Sequence, residues 1–507
     1  MFVVKTLRTF FYFIAFLVIV QLKGINATQL SSTNSLYFDP FSEFKGTKVD
    51  RIIIPPQIDE LELENLRVKI RERVKKIRES GGNETRVLQD PILAELATKF
   101  MEIKKTELEI IMRFGKLTGR QAIFVHKKKG KYFLNSGPTP DTLNEYTWDT
   151  CLKYYLSSEL TSWICNKLTA KLLFRDIIGA KYVARLYGAF EHVKEIFAPE
   201  FWDRLPQWFV VKAVTGSYGE GVRVVNKEDP KTLAALHALE DLQRSRLTKT
   251  TFLVEEFFPP LREGRTLTDY KFVCFNGEVI WLIAGDAPYS SDQIKPFDKW
   301  QAIYTADWTL IGASYCNNPR GTIDKPEQLD EMVAIARKLS KGLPLVRVDM
   351  YLTKDEHGKV VIKIGEITRR SARARATIDP ASYDLVAGSL CRRYSREEFD
   401  RFLVRDMLFI DAVSRIWRAH ADPFHDLMMP GFSVNPHLIS WDSRKDSTIA
   451  RRKVLDPELY RSLLEDLMSR LQDSRDGLCV PLLNERDLPP FADLSSRFTM
   501  LVKGTCH

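Results

Sequence analysis

The segment Gln207–Val225 limits the folds open to this chain more than any other stretch of its sequence. An apolar run, Trp208–Val211, ends in Lys212, and a second run of β-branched residues follows a turn of small ones. The turn contains Gly216, Ser217, Gly219 and Gly221. This pattern predicts two strands joined by a glycine-rich loop. Because glycines let backbone N–H groups point toward an anion and lysine adds a point charge, the segment predicts a phosphate site.

Two carboxylates stand inside later apolar strands. Asp349 follows Arg347 within one predicted strand, and Glu366 lies within the next, Val360–Ile367. A short polar segment between them predicts a hairpin, so we expect the two acids side by side on adjacent antiparallel strands. Paired carboxylates suit Mg²⁺ or Mn²⁺. The alternative is a pair of salt bridges, with Arg347 and Lys363 as partners, since acids are costly to bury alone.

Further segments supply the other parts that a metal–nucleotide site needs. Lys167 is a candidate second phosphate contact, or else a solvated helix lysine. The predicted strand Thr251–Phe257 offers apolar residues for an adenine slot, and Glu255 and Glu256 stand at its end. Asp269 begins the next strand. Taken in order along the chain, these parts predict binding of ATP together with Mg²⁺ or Mn²⁺.

Composition narrows the class of protein. The chain has 507 residues with a formal net charge of +9, and charges of both signs are mixed throughout. It has no zinc-finger spacing, no aromatic RNA-binding motif and no basic tail, so we expect no nucleic-acid partner. Its seven cysteines form no C-x-x-C pair, which argues against zinc, and their odd number leaves at least one unpaired by an intramolecular disulfide.

The N-terminus is typical of a targeting segment. Two basic residues precede the apolar run Phe10–Val20, which is shorter than the ~20 residues that a membrane-spanning helix needs. Residues 1–27 are therefore expected to be a signal peptide or a signal anchor. This predicts the secretory pathway, either the ER or Golgi lumen or secretion, with membrane anchoring as the alternative. The sequons at Asn26 and Asn83 would then be candidate glycosylation sites.

Hydrophobic periodicity divides the rest of the chain into three regions. Residues 28–150 form a predicted helical lead-in region, including helices over Ile58–Arg78 and Pro91–Leu117. Residues 151–380 form an α+β domain with a largely antiparallel sheet, in which Asn276-Gly277 predicts a hairpin turn. Residues 381–507 form a helical C-terminal extension, with helices predicted over Arg396–Trp417 and Asp456–Arg470.

Five segments of the α+β region resemble the TupA-like proteins of the ATP-grasp superfamily, which are named for a teichuronopeptide biosynthesis protein. They are FVVKAVTGSYGEGVRVV (209–225), FLVEEFF (252–258), DYKFVCFNGEV (269–279), KPEQLDEMVAIARKLSKGLPLVRVDMY (325–351) and IKIGEIT (362–368). The resemblance covers roughly residues 160–375. It implies an ATP-grasp fold carrying a helical N-terminal lead and a helical C-terminal extension.

The resemblance also implies roles for the candidate residues. Lys167 and Lys212 would hold ATP phosphates beneath a lid formed by residues 216–221. Glu255 and Glu256 would stand at the adenine hinge, and Asp269 near the ribose or adenine. Asp349 and Glu366 would bind the metal, and Arg347 would contact phosphate or a substrate carboxylate. Lys212 and Arg347 are thus the expected catalytic residues.

Two features depart from the family pattern. Thr368 stands where many ATP-grasp enzymes have an asparagine metal ligand, which puts a second metal site in doubt. Residues 369–375 are strongly basic where a stretch containing glycine and proline is expected. This basic run is either a solvated loop or a pocket for an anionic acceptor.

Three functional hypotheses follow from the sequence. The first is an ATP- and Mg²⁺-dependent ligase that joins a carboxylate to an amine or glycan acceptor through an acylphosphate, in polysaccharide or glycopeptide biosynthesis. The second is a lumenal kinase of a glycan or protein that uses the same ATP site. The third is a non-catalytic glycan-binding or scaffold protein on a degenerate ATP-grasp fold. The polysaccharide pathway is inferred by analogy with the family alone.

Overall fold

A computed structural model describes most of the chain between residues 60 and 438. The described residues are 60–118, 125–128, 131–134, 140–155, 158–214, 221–245, 251–261, 267–286, 300–316, 318–369, 371–374, 376–419, 422–435 and 438. All of them belong to the unit that begins at Gln57. The predicted targeting segment 1–27 and the predicted helix Asp456–Arg470 lie outside them. Within the described part, no helix combines the length and apolar character needed to cross a membrane.

The described residues form a mixed α+β fold, which confirms the predicted fold class. The helices are α1 (Glu60–Glu79), α2 (Glu84–Leu88), α3 (Pro91–Thr118), α4 (Leu143–Thr150), α5 (Glu159–Cys165), α6 (Lys167–Ile178), α7 (Pro199–Trp202), α8 (Pro230–Ser245), α9 (Leu329–Ser340), α10 (Ser382–Ser389) and α11 (Arg396–Ala419). The helices predicted from apolar periodicity at 58–78, 91–117 and 396–417 are present within two residues at each end.

The strands form two main antiparallel sheets and two short pairs. They are β1 (Val125–Lys128), β2 (Lys131–Leu134), β3 (Leu186–Phe190), β4 (Trp208–Ala213), β5 (Val222–Asn226), β6 (Phe252–Glu256), β7 (Thr268–Phe275), β8 (Glu278–Asp286), β9 (Gln301–Tyr304), β10 (Leu310–Ile311), β11 (Ser314–Tyr315), β12 (Val346–Lys354), β13 (Val360–Thr368) and β14 (Ile378–Asp379). The large sheet has the order β10-β9-β8-β7-β12-β13, and the small sheet has the order β3-β6-β4-β5. The hairpin β1–β2 falls within the region predicted to be helical, so that region is not helical throughout.

Local turn chemistry sets the register of the large sheet. Asn276 and Gly277 both have positive φ and join β7 to β8, as the dipeptide predicts. Residues 355–358 form the turn between β12 and β13, where the N–H of Asp355 donates to the carbonyl of Lys359. Asp349 and Glu366 are direct cross-strand partners as a result. This confirms the predicted pairing of the two strands.

A β-bulge at Gly365 decides which way Glu366 faces. Ile362 and Ile364 are paired with core residues of β12, but the register then shifts by one residue so that Glu366 pairs with Asp349. Without the bulge, strict alternation would place Glu366 on the core face with the isoleucines. A Cβ on Gly365 would come within 2.6 Å of the Tyr351 ring, so glycine fits this position.

The two faces of the large sheet have separate cores. Phe272, Val348 and Met350 pack in one apolar cluster together with helices α6 and α9. The opposite face packs at one end against α1 to α3, where Phe100 and Trp281 are fully buried. The described helices of the N-terminal region therefore cover one end of the face that carries the candidate site.

The chain after α11 returns to the edge of the small sheet. The N–H of Met429 donates to the carbonyl of Leu186 at 2.9 Å, and Met428 forms a parallel bridge to the same residue of β3. Phe432 packs edge-on against Tyr187, with its ring centroid 5.2 Å away. Part of the predicted C-terminal extension thus holds an edge strand of the small sheet.

Candidate functional site

One face of the large sheet carries a grid of charged side chains. Three cross-strand rows on β13, β12 and β7 compose it: Lys363–Tyr351–Asp269, Glu366–Asp349–Lys271 and Thr368–Arg347–Val273. Directly opposed residues of antiparallel strands point to the same side of the sheet. The grid therefore brings together, on one surface, three carboxylates and several cations that are far apart in the sequence.

Arg347 holds the central carboxylate of the grid. Its Nε and Nη2 donate to the two carboxylate oxygens of Asp349 at 2.6 and 2.5 Å, which is a bidentate ion pair. Asp349 is only 4% exposed. Burial, together with the negative charge of Asp269, raises the pKa of Asp349 to about 6 despite the opposing guanidinium. The structure thus contains the salt bridge between Asp349 and Arg347 that was predicted from the sequence as the alternative to a metal site.

Glu366 is the more accessible of the two predicted metal ligands. Its side chain is 41% exposed, and its carboxylate accepts from the Thr368 hydroxyl at 3.0 Å. Lys167 lies 3.9 Å away and Arg347 lies 3.8 Å away. Burial opposes ionisation, but these cations and the hydroxyl outweigh it and lower the pKa of Glu366. Glu366 is therefore an ionised carboxylate that a ligand can reach.

The small sheet contributes a buried acid flanked by two lysines. Glu255 is 1% exposed and forms ion pairs with Lys212 on β4 and with Lys171 on α6, the latter at 2.7 Å. Burial alone would raise the pKa of Glu255, but the two ammonium groups lower it to about 2. Glu255 thus fixes the position of Lys212, whose own side chain stays 19% exposed.

Helix α6 begins where the two sheets meet. The backbone N–H of Lys167 donates to the carbonyl of Val214 at 3.3 Å, just after β4. Burial lowers the pKa of Lys167, and the positive charge of Lys212 adds to that effect. Lys167 thus lies 3.9 Å from Glu366 of the large sheet and close enough to Lys212 of the small sheet for their charges to interact.

The remaining predicted residues also form ion pairs. Glu256 accepts from Lys363 of the large sheet at 2.7 Å, and this bond joins the two sheets. Asp269 pairs with Lys271 through one oxygen, while its other oxygen is buried without a hydrogen-bond partner among the described residues. The proposed roles of these acids near adenine or ribose stay predictions.

Part of the predicted lid lies outside the described residues. This applies to Gly216, Ser217 and Gly219. Gly221 is described, and its φ of +80° is a conformation that favours glycine. Its carbonyl accepts from the N–H of Ala213 at 2.8 Å, so the loop returns directly to β4 beside Lys212.

Sequence reasoning missed Lys171 and Lys271, and it expected Lys363 to pair with Asp349 or Glu366 where the structure pairs it with Glu256. Lys171 comes one helical turn after Lys167, so the spacing of the two within an apolar helix was an available signal. Lys271 and Lys363 lie at alternate positions to buried residues of β7 and β13. The pair Lys271–Asp269 joins alternate residues of one strand, whereas the pair Lys363–Glu256 joins residues whose proximity depends on the tertiary fold.

The carboxylates are compatible with a divalent cation. Within the described part of the chain, no group of three or more His, Cys, Asp or Glu side chains is placed to form a complete metal site. Mg²⁺ seldom needs three protein ligands, because it is usually held by one or two carboxylates together with substrate phosphates and water. Asp349 and Glu366 are adjacent hard-oxygen donors, and the orphaned oxygen of Asp269 lies on the same face.

Comparison with known families agrees with this geometry. The model of the TupA-like ATP-grasp family matches residues 150–392. The chain is thus similar to this family over slightly less than half of its length. ATP-grasp enzymes use ATP and a divalent metal in general, and the matched segment contains every residue of the grid. No curated protein matches the chain.

Solved ATP-grasp structures also align with the chain. D-cycloserine synthetase DcsG is 16% identical with a TM-score of 0.28, over 47% of this chain and 71% of that one. D-alanyl-alanine synthetase A from Vibrio cholerae O1 biovar eltor is 16% identical with a TM-score of 0.27, over 49% and 67%. The ATP-grasp ligase PsnB is 16% identical with a TM-score of 0.26, over 46% and 60%, so the chain spans less than two thirds of PsnB.

Proposed function

We propose that this protein is an ATP- and Mg²⁺-dependent ligase that joins a carboxylate to an amine or related nucleophile. In this chemistry ATP activates the carboxylate as an acylphosphate, which the nucleophile then attacks. The bound metal would supply charge neutralisation on the phosphates. No side chain of the protein needs to act as a nucleophile, so the task of the site is positioning and electrostatic stabilisation.

The residues of the site divide this task. Lys167 and Lys212 would hold phosphate oxygens, and Asp349 and Glu366 would hold the metal. Arg347, already beside both acids, would stabilise negative charge that develops on the transferred group or on the substrate carboxylate. Since a single ammonium–phosphate contact is worth about 1.5–3 kcal/mol, the loss of either lysine should be measurable.

One observation carries the proposal. The bulge at Gly365 turns Glu366 onto the face of Asp349, and the same carboxylate then lies 3.9 Å from Lys167 at the start of α6. A purely structural salt-bridge cluster does not require an acid that is 41% exposed beside a lysine from helix α6. Adjacent acids and lysines, partly open to solvent, are what a metal–phosphate complex needs.

Calorimetric titration with ATP and Mg²⁺ tests nucleotide binding. The Lys212→Ala variant should bind at least about tenfold more weakly than the wild type, because it loses a charge-assisted phosphate contact. Lys231→Ala, which changes an exposed lysine at the start of α8, is the matched control and should bind normally. Equal affinity in the Lys212 variant would remove this residue from the site.

Phosphorus NMR of reaction mixtures tests the type of reaction. Panels of amino acids and sugar acids, each with an amine, would be incubated with ATP and Mg²⁺. The proposal predicts ADP and inorganic phosphate only when both an acid and an amine are present. A new phosphorylated product would instead support the kinase, and a wild-type protein that binds no nucleotide would support the non-catalytic scaffold.

A further inference from the structure

A small cavity adjoins the grid at Arg347. It has a volume of about 20 Å³, and its polar lining includes Tyr315, Arg347, Thr368, Arg369 and Ser371. A cavity of this size has room for about one water molecule or for one oxygen atom of an anionic head group whose other atoms lie outside it. Since Arg347 and Thr368 also belong to the grid, anything bound in the cavity would lie beside the predicted metal ligands.

Arg369 is the unusual member of this lining. It is half-buried, and among the described residues it has no carboxylate partner. The hydrogen bond recorded for its side chain there is a long one, 3.5 Å from Nη1 to the carbonyl of Tyr155. A partly desolvated guanidinium without an anion is unfavourable, whereas a carboxylate or phosphate would satisfy its donors bidentately.

The other cations at the site already have partners. Arg347 is paired with Asp349, Lys212 and Lys171 with Glu255, and Lys363 with Glu256. Arg369 differs from these residues, because no described carboxylate forms an ion pair with its guanidinium. Its position also matters, because it begins the basic run 369–375 that distinguishes this chain from the expected family pattern.

Hydroxyl groups complete the polar lining of the cavity. The Ser371 Oγ accepts from Nη1 of Arg347 at 3.1 Å and lies 2.8 Å from the Tyr315 hydroxyl. The Thr368 hydroxyl lies 3.2 Å from Nη2 of Arg347. Hydroxyls can rotate to donate to an incoming oxygen, so this arrangement can accommodate an anion without moving the backbone.

We propose that Arg369, with Arg347 and the Ser371 and Tyr315 hydroxyls, forms a subsite for an anionic head group of the acceptor substrate. The chemistry is that of a carboxylate or a phosphate. This inference rests on the proposed ligase function, because it places the acceptor next to the activated carboxylate. The inference assigns the specificity of the enzyme for its acceptor to Arg369, the first residue of the basic run 369–375.

Ligand-observed NMR tests the subsite with two probes. Acetate binding would be followed by saturation transfer, and binding of inorganic phosphate by ³¹P line broadening, with ADP and Mg²⁺ present to occupy the nucleotide site. Arg369→Ala should weaken binding of the preferred probe at least about tenfold, since it removes a charged donor pair. Arg86→Ala removes an equal charge from an exposed position on α2 and should change nothing.

The two probes identify the preferred head group. Stronger binding of acetate assigns a carboxylate, and stronger binding of phosphate assigns a phosphoryl group. Unchanged probe binding in Arg369→Ala, or no binding of either probe to the wild type, would overturn the subsite. Arg369→Gln removes the charge but retains much of the side-chain length, and it replaces the alanine variant if that variant does not fold.

Calorimetry with ADP and Mg²⁺ on the same samples separates this proposal from the ligase function. Arg369→Ala should retain normal ADP affinity, because Arg369 is assigned to the acceptor and not to the nucleotide. Absence of ADP binding in the wild type would refute the proposed function. The effect of Arg369 on the anion probes would still decide whether the subsite exists.

Discussion

Replacing Glu255 with glutamine should destabilise the protein and displace Lys212. Glu255 is 1% exposed and is the shared partner of Lys171 and Lys212. The substitution conserves the shape of the side chain but removes the charge that compensates both ammonium groups. Breaking a buried ion pair by removing one partner typically costs about 3–5 kcal/mol, because the other charge stays buried.

The pKa of Glu255 gives an independent magnitude. Its pKa falls from 4.5 to about 2 on folding. At about 1.4 kcal/mol per pKa unit, the ionised carboxylate contributes roughly 3 kcal/mol to the free energy of unfolding at neutral pH. Both routes therefore predict that Glu255→Gln lowers the free energy of unfolding by about 3 kcal/mol at pH 7.

The sign of the pH dependence follows from the same shift. Because the folded pKa lies below the unfolded one, the stabilisation is complete above about pH 4.5 and is lost as the pH falls through about 2. The difference in stability between wild type and Glu255→Gln should therefore shrink on acidification, to roughly 1.4 kcal/mol near pH 3. The glutamine variant lacks this contribution at every pH.

Urea denaturation of both proteins between pH 7 and pH 3 measures the effect. Glu256→Gln is the matched control, since Glu256 is the next residue but is 22% exposed and pairs only with Lys363 among the described residues. We expect it to cost about 1 kcal/mol or less. Equal stability of wild type and Glu255→Gln at pH 7, or a difference that does not depend on pH, would refute the reasoning.

Three further substitutions test features that position the site. Gly365→Ala should lower the free energy of unfolding by about 1–3 kcal/mol and weaken nucleotide binding, because its Cβ would meet the Tyr351 ring. Thermal denaturation measures the stability, and calorimetry measures the nucleotide binding. Adding Tyr351→Ala to the Gly365→Ala variant should restore part of the lost stability. Phe432→Ala should speed hydrogen exchange at the Met429 amide, which mass spectrometry can follow, and unchanged protection would show that Phe432 does not hold this segment on β3. Gly277→Ala should cost about 1–2 kcal/mol in urea denaturation, because its φ is +90°, and no loss would contradict the turn assignment.

Local patterns predicted the elements that carry the candidate acids. The alternating apolar residues around Asp349 and the polar turn before Val360 determine a hairpin from short-range information alone, and the structure has that hairpin. The bulge at Gly365 was not predicted, although the break in alternation between Ile364 and Ile367 was an available signal for it. Strand β3 was missed because Leu186–Phe190 contains Gly188 and Ala189 and no β-branched residue.

Partners across the fold could not be predicted in the same way. The contacts Lys171–Glu255 and Lys363–Glu256 join residues that lie about 80 to 110 positions apart, and many lysines in the sequence were equally available to either acid. The lack of a carboxylate partner for Arg369 among the described residues likewise depends on which side chains the tertiary fold places around it. Sequence spacing therefore identified the acids, and the tertiary structure supplied the cations that define their roles.

Electron paramagnetic resonance of Mn²⁺ tests the central claim most directly. With ATP present, Mn²⁺ should bind the wild type, and Glu366→Gln should weaken this binding at least about tenfold while leaving the melting temperature nearly unchanged. Glu356→Gln, an exposed acid in the turn of the same hairpin, should bind Mn²⁺ as the wild type does. Equal Mn²⁺ affinity in the wild type and Glu366→Gln would contradict the assignment of the Asp349–Glu366 pair to a metal–nucleotide site.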